Sequence, residues 1–301
     1  MDGYDIIGDI HGHADRLKAL LKSLGYARDG EVYRHPTRKV LFLGDFIDRG
    51  PAIRETLHIV RPMVDNGTAL AVMGNHEYNA VAYATVGADG DHLRSHRPER
   101  VDQHRETLLA FEHAQEEWAD HLAWFSTLPL HLDLGDIRAV HAYWHDDHNA
   151  HLQKHFDNRL SQRLLFDSCD RSKPEYLIIE EVLKGREVLL PEGVTFKDKG
   201  GHVRRKARTR WWMDSAGLRP SEFLFGIDTE HDGAIELPDS QGYPADAPPV
   251  FIGHYWLKSD APRLQSPNVA CLDFSVAAGG FLCAYRWSGE SRLSPDRFVT
   301  A

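Results

Sequence analysis

The chain of 301 residues has a formal net charge of -10, and 42% of its residues are hydrophobic. This length suits a large α/β domain, whereas the acidic balance argues against general binding to nucleic acids or membrane surfaces. Three scattered cysteines exclude a disulfide framework, and no apolar leader precedes the first motif at residue 8, so we expect a cytoplasmic location.

The first predicted strand covers residues 4–7 and ends at Gly-Asp-Ile-His-Gly, which places Asp9 and His11 directly after a buried strand. Residues 13–25 follow with leucines on one face and charged residues on the other, which predicts an amphipathic helix. The alternation of strand, loop and helix indicates an α/β fold with a layered sheet. In such sheets, ligands collect at the carboxyl ends of the strands.

Two further strands are each followed by the same kind of polar loop. The apolar run at 40–43 precedes Gly-Asp-Phe-Ile-Asp-Arg-Gly, and the run at 69–73 precedes Gly-Asn-His-Glu, with a predicted helix at 53–65 between them. The chemically active residues of these loops are Asp45, Asp48, Arg49, Asn75 and His76. Carboxylates, amide oxygens and neutral imidazoles are typical ligands of divalent cations. The three loops together therefore predict a metal site.

The rest of the chain contributes two histidines at predicted strand ends, His141 and His254. The elements predicted after residue 80 are a polar loop at 88–105, one helix at 106–126, a hairpin of 130–134 and 137–142, helical segments at 150–168 and 175–184, strands at 188–190 and 202–212 around a turn at 199–201, a linker at 239–249, a strand at 250–252, and a hairpin of 269–274 and 281–287.

The order of these motifs resembles that of the calcineurin-like metallophosphoesterases. The sequence is most similar to their phosphoprotein-phosphatase branch, which includes bacterial protein phosphatases and dinucleoside tetraphosphatases. The resemblance implies a four-layer α-β-β-α metallophosphoesterase sandwich with a large insertion. We expect a single domain at 1–301, in which residues 150–245 form a lid or specificity insertion.

The resemblance also implies a phosphatase with two divalent metal ions, in which a metal-bridging hydroxide attacks phosphorus directly. Manganese is expected first, with iron, zinc or nickel as alternatives. The implied metal ligands are Asp9, His11, Asp45, Asn75, His141 and His254. His76 would protonate the leaving oxygen, Asp48 would orient His76, and Arg49 would bind the phosphoryl oxygens.

Two positions depart from the eukaryotic protein phosphatases of this family. Met73 replaces an arginine before Gly-Asn-His-Glu, and Ala142 and Tyr143 replace two glycines after the first lone histidine. Basic candidates for the missing phosphate ligand are Arg204, Arg205, Arg208 and Arg210. Aromatic candidates for stacking on a base or phenyl ring are Tyr143, Trp144, Tyr255 and Trp256. We select Arg208, Tyr143 and Tyr255 beside Arg49, although a solvated basic strand and packed aromatic rings are the alternatives.

We predict hydrolysis of a phosphomonoester, on a protein or a small molecule, as the first possibility. Hydrolysis of a nucleotide or dinucleoside polyphosphate is the alternative, favoured by the missing arginine and the aromatic residues. The third possibility is a metal-bound scaffold without turnover. It is disfavoured because such proteins usually lose the acid or a metal ligand, whereas all of these residues are present here. No specific nucleic acid and no membrane is expected as a partner.

Overall fold

Two β-sheets lie at the centre of the computed structural model, which describes residues 3–197, 201 and 203–301. The strands are β1 (Gly3–Ile7), β2 (Ala27–Asp29), β3 (Val32–Arg34), β4 (Arg38–Phe42), β5 (Ala69–Ala71), β6 (His131–Asp133), β7 (Arg138–Val140), β8 (Glu187–Leu189), β9 (Phe196–Lys197), β10 (Val203–Arg204), β11 (Lys206–Arg208), β12 (Val250–Ile252), β13 (Val269–Cys271), β14 (Asp273–Phe274), β15 (Phe281–Trp287) and β16 (Phe298–Thr300). The helices are α1 (Ala14–Ser23), α2 (Ile53–Asp65), α3 (Asn75–Ala84), α4 (Pro98–Ala110), α5 (Gln115–Thr127), α6 (Asp146–Phe156), α7 (Gln162–Cys169), α8 (Pro174–Lys184) and α9 (Pro220–Phe223).

The first sheet has the strand order β14-β15-β1-β4-β5, and β16 also pairs with β15. Strands β1, β4 and β5 are parallel neighbours, so the three loops that follow them leave the sheet at the same edge. The second sheet has the order β13-β12-β7-β6, in which β12 runs parallel to β7. The loops after β7 and β12 therefore also emerge side by side.

Several predicted elements are confirmed. Helices α1 and α2 and the hairpin of β6 and β7 have nearly the predicted bounds. The two helices form because leucine and valine residues at helical spacing bury one face of each helix against the sheets. The predicted turn at 199–201 lies largely outside the described residues, which include only Gly201 of the three.

The single helix predicted at 106–126 is wrong. The structure has two helices there, α4 and α5, and α4 begins inside the predicted polar loop. The chain reverses at residues 111–114, where Phe111 is almost fully buried and its ring stacks on Trp118 at 4.8 Å between centroids. The break lets α5 bury apolar residues while α4 turns His104 and Thr107 inward, so tertiary packing overrides the continuous helical pattern.

The strand predicted at 269–274 is also two strands. Residues of β13 pair with β12 in the second sheet, whereas β14 pairs with β15 in the first sheet. The chain thus crosses between the sheets at Leu272, which is 1% exposed. The hairpin predicted between residues 269–274 and 281–287 is confirmed for Asp273 and Phe274, which belong to β14 and pair antiparallel with β15.

The segment between β7 and β12 has a small hydrophobic cluster of its own. Its buried members are Leu190, Ala207, Phe223, Leu224, Ile227 and Ile235. Trp211 connects this segment to the main core, since its indole N–H donates to the carbonyl of Ala142 at 3.0 Å. A lid or specificity role for residues 150–245 remains a prediction. Within the part of the chain that the structure describes, no helix has the length and apolar content to cross a membrane.

The first sheet contains a buried charge network around Asp5, which is 0% exposed. Its carboxylate accepts hydrogen bonds from Arg38 Nε at 3.1 Å, Arg286 Nε at 3.0 Å and the Tyr26 hydroxyl at 3.1 Å. We expect Asp5→Asn to lower the free energy of unfolding by about 3–5 kcal/mol, because the substitution leaves the buried Arg38 and the partly buried Arg286 without a counter-charge. Urea unfolding measures this loss. Asp246→Asn, at an exposed linker position, is the matched control and should change stability by less than about 0.5 kcal/mol; an equal effect of both variants would contradict the prediction.

Candidate metal centre

The six predicted metal ligands converge where the carboxyl ends of the two sheets meet. Asp9, His11 and Asp45 come from the loops after β1 and β4, and Asn75 is the first residue of α3. His141 and His254 directly follow β7 and Gly253, respectively. All six residues are buried, with exposed fractions of 8% or less. The N–H of Gly253 donates to the carbonyl of His141 at 2.8 Å, which ties the last two loops together.

Asp45 lies between two groups of ligand atoms. Its Oδ2 is 3.6 Å from His11 Nε2, and its Oδ1 is 3.4 Å from His141 Nε2. The atoms of His11, Asp45 and His76 lie within 4.8 Å of one another, as do those of Asp45, His141 and His254. One carboxylate oxygen thus faces each group, which is the arrangement required of a ligand that bridges two cations.

Asn75 and Asp9 are the two remaining predicted ligands beside these groups of atoms. Asn75 Oδ1 lies 3.0 Å from His141 Nε2 and 2.7 Å from His254 Nδ1, and so joins the second group. Asp9 Oδ2 accepts the backbone N–H of His254 at 3.0 Å, which leaves its other oxygen directed elsewhere. Among the buried side-chain atoms of these six ligands, three have no hydrogen-bond partner within the described chain: Asp9 Oδ1, His11 Nε2 and His254 Nε2.

These orphaned atoms show that the residues fit divalent cations. A buried polar atom without a partner costs stability, and three such atoms in one site are accounted for if a cation binds there. The donors are carboxylate oxygen, amide oxygen and imidazole nitrogen, a set that accepts manganese, iron, zinc or nickel. Burial of the site, together with its own donors, therefore supports a pair of metal ions rather than a simple hydrogen-bond network.

The backbone around the centre is strained. Of the nine non-glycine residues with positive φ in the described chain, six belong to the site loops: His11, Asp45, Asp48, Arg49, His254 and Trp256. Left-handed conformations cost energy outside glycine and cluster at functional sites. Glu77 holds part of this strain in place, because its carboxylate accepts the backbone N–H groups of Asp45 at 2.8 Å, Phe46 at 2.8 Å and Gly74 at 3.0 Å.

The charges at the centre favour cations. Burial raises the pKa of Asp9 well above its usual range, and the nearby carboxylates of Asp273 and Asp45 raise it further. Burial lowers the pKa of His11 to about 3, which keeps its imidazole in the neutral, metal-binding form. Burial also acts to lower the pKa of His141, but the negative charge of Asp45 outweighs it and raises that pKa to about 10. The raised pKa of His141 reflects the negative charge of Asp45, which a cation bound there would neutralise.

His76 and Asp48 form a short contact beside the centre. Nδ1 of His76 lies 2.5 Å from Asp48 Oδ2, and Nε2 of His76 faces Arg49 Nη2 at 3.4 Å and Asp45 Oδ2 at 3.9 Å. Burial acts to raise the pKa of Asp48, but hydrogen bonds from His104 and His76 hold it well below its usual range. Because a carboxylate can only accept, Nδ1 of His76 is the donor, and Nε2 is left to face the centre.

Two residues that the sequence analysis did not identify also hold Asp48. His104 Nδ1 lies 2.7 Å from Asp48 Oδ1, and the Thr107 hydroxyl donates to the same oxygen at 2.6 Å. Both residues lie on α4, in the stretch predicted as a loop and at the start of the predicted helix. Once α4 is recognised, their spacing of three residues places them on one helix face, which is the signal that could have found them.

We expect His104→Ala to lower kcat by about 10–100-fold, because Asp48 loses one of the groups that fix it against His76. The loss should be greater with phenyl phosphate than with para-nitrophenyl phosphate, since the better leaving group needs less protonation. Steady-state kinetics with both substrates measure this difference. His113→Ala, on an exposed histidine in the turn after α4, is the control. Equal losses on the two substrates would assign His104 a purely structural role.

Two arginines flank the centre. The Arg49 guanidinium lies 3.8 Å from the centre of the Trp256 ring, which orients it by stacking. Arg208 is on β11. Burial lowers the pKa of His254, and the positive charge of Arg208 lowers it further. Arg208 Nε has no hydrogen-bond partner among the described residues, and the nearest carboxylate, Glu187, is 3.8 Å away. By contrast, Arg210 donates to the carbonyls of Glu222 and Leu224.

The structure does not bring Tyr143 and Tyr255 to the opening of the site. Both side chains are buried, with exposed fractions of 7% and 6%. The ring of Tyr143 packs edge-on against Trp211 at 5.2 Å, and that of Tyr255 against Trp212 at 5.4 Å. Their placement agrees with packed interior rings, which was the alternative interpretation of these residues. Trp256, partly exposed beside Arg49, is the aromatic residue that lies at the site.

Comparisons with known proteins agree with this geometry. The family profile of the calcineurin-like phosphoesterases matches residues 4–215. A symmetrical bis(5'-nucleosyl)-tetraphosphatase of Aromatoleum aromaticum is 30% identical over 297 residues, which cover 96% of this chain and 85% of that protein. An asymmetrical bis(5'-nucleosyl)-tetraphosphatase of Halalkalibacterium halodurans is 46% identical over 74 residues, but the match spans only 24% of this chain and 30% of that protein.

Among solved structures, a protein serine/threonine phosphatase from Saccharomyces cerevisiae matches with a TM-score of 0.52. The match covers 99% of this chain and 78% of that chain at 14% identity. At this identity the likeness concerns the fold alone, and it agrees with the two central sheets and the helices that surround them.

Proposed function

This chain belongs to the calcineurin-like phosphoesterases and is a metal-dependent phosphoester hydrolase, and from this premise we propose that it cleaves the polyphosphate chain of dinucleoside polyphosphates. The observation that carries the proposal is the match over 96% of the chain to a symmetrical bis(5'-nucleosyl)-tetraphosphatase. The shorter match, to an asymmetrical tetraphosphatase, points to the same class of substrate.

In this proposal two divalent cations, manganese first, are held by Asp9, His11, Asp45, Asn75, His141 and His254. Cations bound there would lower the pKa of water near phosphorus and neutralise charge on the phosphoryl group. Asp45, with one oxygen toward each group of ligands, would be shared between them. A cytoplasmic location fits the buried free thiols of Cys271 and Cys283, which form no disulfide.

The remaining residues bind the substrate or position the proton donor for its leaving oxygen. His76 donates a proton from Nε2 to the leaving oxygen, while Asp48 holds the ring by its Nδ1. Arg49 and Arg208 bind the phosphoryl oxygens and stabilise the negative charge that develops in the transition state. In this assignment Arg208 supplies the positive charge that Met73 cannot, because the side chain of Met73 is fully buried in the core.

Hydrolysis of a phosphomonoester, the activity predicted first from the sequence, is the second candidate. It is favoured by Arg49, which stacks on Trp256 beside His76, and by the charge of Arg208 acting on His254, since both arginines would bind a single phosphoryl group. A scaffold without turnover receives no support, since every predicted ligand and the acid converge in one buried site.

The test is a panel of diadenosine tetraphosphate, para-nitrophenyl phosphate and a phosphoserine peptide, each assayed with manganese. We expect kcat/KM for the dinucleotide to exceed that for either monoester by at least about tenfold, which corresponds to about 1.4 kcal/mol of transition-state binding. Ion-exchange chromatography identifies the nucleotide products and shows where the chain is cut. A preference for either monoester would overturn the proposed substrate class, and the His76→Asn variant in the same panel controls for contaminating phosphatases.

A further inference from the structure

A narrow cleft adjoins the predicted general acid, and none of the six predicted metal ligands lines it. His76 and Asp48 form one wall, and the others include Tyr83, Arg94, Arg100 and His104. We propose that Arg94 and Arg100 form an anion site that binds a second phosphate of the substrate, on the leaving-group side of the metal centre. This inference rests on the proposed function, and it identifies the substrates as those whose leaving group itself carries phosphate.

The arginines of this cleft form hydrogen bonds with neutral partners, although the carboxylate of Asp48 also lies in the cleft wall. The Arg94 guanidinium donates to Asn79 Oδ1 at 3.0 Å and to Gln103 Oε1 at 3.1 Å, and both acceptors are neutral. Arg100 donates to the hydroxyl of Ser95 at 3.1 Å. In the described ranges neither arginine has a carboxylate within 4.0 Å, the limit for an ion pair.

The two guanidinium groups are close enough to affect each other. Burial lowers the pKa of Arg94, and the charge of Arg100 lowers it further. Asp48 and Glu180 act in the opposite direction without outweighing these effects. Two like charges whose hydrogen-bond partners are neutral amides and a hydroxyl cost free energy, unless an anion binds to both of them. Guanidinium groups suit phosphate because their N–H groups can donate in pairs.

A second observation in the same cleft is independent of the arginines. His104 is 6% exposed, and its Nδ1 is bound to Asp48. Its Nε2 is buried and has no hydrogen-bond partner within the described chain. A polar atom left unpaired in the wall of a cleft is the feature expected where a ligand or its water completes the hydrogen bonding.

The position of the cleft fits a leaving group. His76 forms part of both the cleft and the metal centre, since its Nε2 faces Asp45 and Arg49. The bond that breaks lies at His76 in the proposed reaction, so the leaving oxygen is next to the cleft. In a dinucleoside polyphosphate this oxygen is bonded to a further phosphate, whereas in a phosphoserine or an aryl phosphate it is bonded to carbon. Arg94 and Arg100 therefore favour the polyphosphate.

The test compares Arg94→Gln and Arg100→Gln with the control Arg97→Gln, which removes an exposed charge at the start of the same helix. Each variant is assayed with diadenosine tetraphosphate and with para-nitrophenyl phosphate. We expect each cleft variant to raise KM for the dinucleotide about tenfold or more, which is the effect of losing a charged hydrogen bond. The same variants should change kcat/KM for the aryl phosphate by less than about twofold, and Arg97→Gln should change neither.

Unchanged KM in both cleft variants, or equal losses on the two substrates, would overturn the anion site while leaving the proposed function intact. If the wild-type enzyme cleaved only the aryl phosphate, the proposed function would fail instead. The anion site is then judged by inhibition of that reaction with inorganic tripolyphosphate. Inhibition at least about tenfold weaker in Arg94→Gln than in Arg97→Gln would support the site, and equal inhibition would overturn it.

Discussion

Replacing His76 by asparagine is expected to lower kcat for diadenosine tetraphosphate by about 10²–10⁴-fold while two metal ions remain bound. The reason is that His76 supplies a proton to the leaving oxygen, and asparagine cannot. Asparagine preserves a polar group of similar position, so the contact with Asp48 can partly persist. The backbone N–H of His76, which donates to Asp45 Oδ1 at 3.0 Å, is unaffected by the substitution.

The structure also offers a rival role for His76. Its ring nitrogen lies near His11 Nε2 and Asp45 Oδ2, within the spacing of a metal-ligand group. Metal analysis of the purified variant separates the two roles, because a lost ligand lowers the metal content whereas a lost acid does not. Undiminished activity in His76→Asn would refute the general acid. A variant with one metal ion instead of two would make His76 a ligand.

Asp45→Asn is expected to abolish measurable activity and to weaken binding of both metal ions by about 100-fold or more. Loss of an outer partner of a metal ligand already costs 10–100-fold, and Asp45 faces both groups of ligands. Asparagine is the appropriate replacement, since Asp45 has φ 53° and asparagine tolerates this conformation better than most residues. Equilibrium dialysis against manganese measures the affinity.

Asp48→Asn is the matched control for this experiment. It removes the same charge from the same loop, at a residue with φ 68°, but its carboxylate contacts His76, His104 and Thr107. We expect this variant to lose kcat and to bind two metal ions normally. If Asp45→Asn bound two metal ions as tightly as Asp48→Asn does, Asp45 would not be the shared ligand.

The sequence was most informative where function depends on residues close together in the chain. Asp9, Asp45 and Asn75 each follow a short apolar strand, and parallel pairing of β1, β4 and β5 brings their loops to one edge. A local pattern therefore predicted the convergence. The same reasoning placed His141 and His254 at strand ends, and the parallel pairing of β7 with β12, which was not predicted, brings them together.

Contacts between distant segments could not be predicted in this way. The break between α4 and α5 depends on Phe111 packing against Trp118, and without it the hydrophobic pattern continues as one helix. The contact of His104 with Asp48 joins residues 56 positions apart. Arg94 belongs to a stretch that is polar and rich in histidine, and nothing in that composition indicates which side chain reaches the active-site cleft.

Adjacency in the sequence also failed to predict which aromatic residue lies at the site. Tyr143 and Tyr255 follow the two histidines directly, so adjacency in sequence suggested that they contact the substrate. Their side chains instead point into the core, where Tyr255 donates from its hydroxyl to the carbonyl of Ala142 at 3.2 Å. Trp256, one residue further along and with φ 50°, turns toward Arg49. Two left-handed residues, His254 and Trp256, lie on either side of Tyr255 in this loop.

The central claim is that this buried centre binds a pair of divalent cations and that the enzyme uses them to hydrolyse a dinucleoside polyphosphate. The most direct test strips the protein of metal with a chelator and restores manganese stepwise, while bound metal and cleavage of diadenosine tetraphosphate are measured on the same samples. We expect no cleavage without metal, two manganese ions bound per chain, and full activity only when the second is bound. Full activity in the metal-free protein, or cleavage that does not depend on the manganese bound, would contradict the claim.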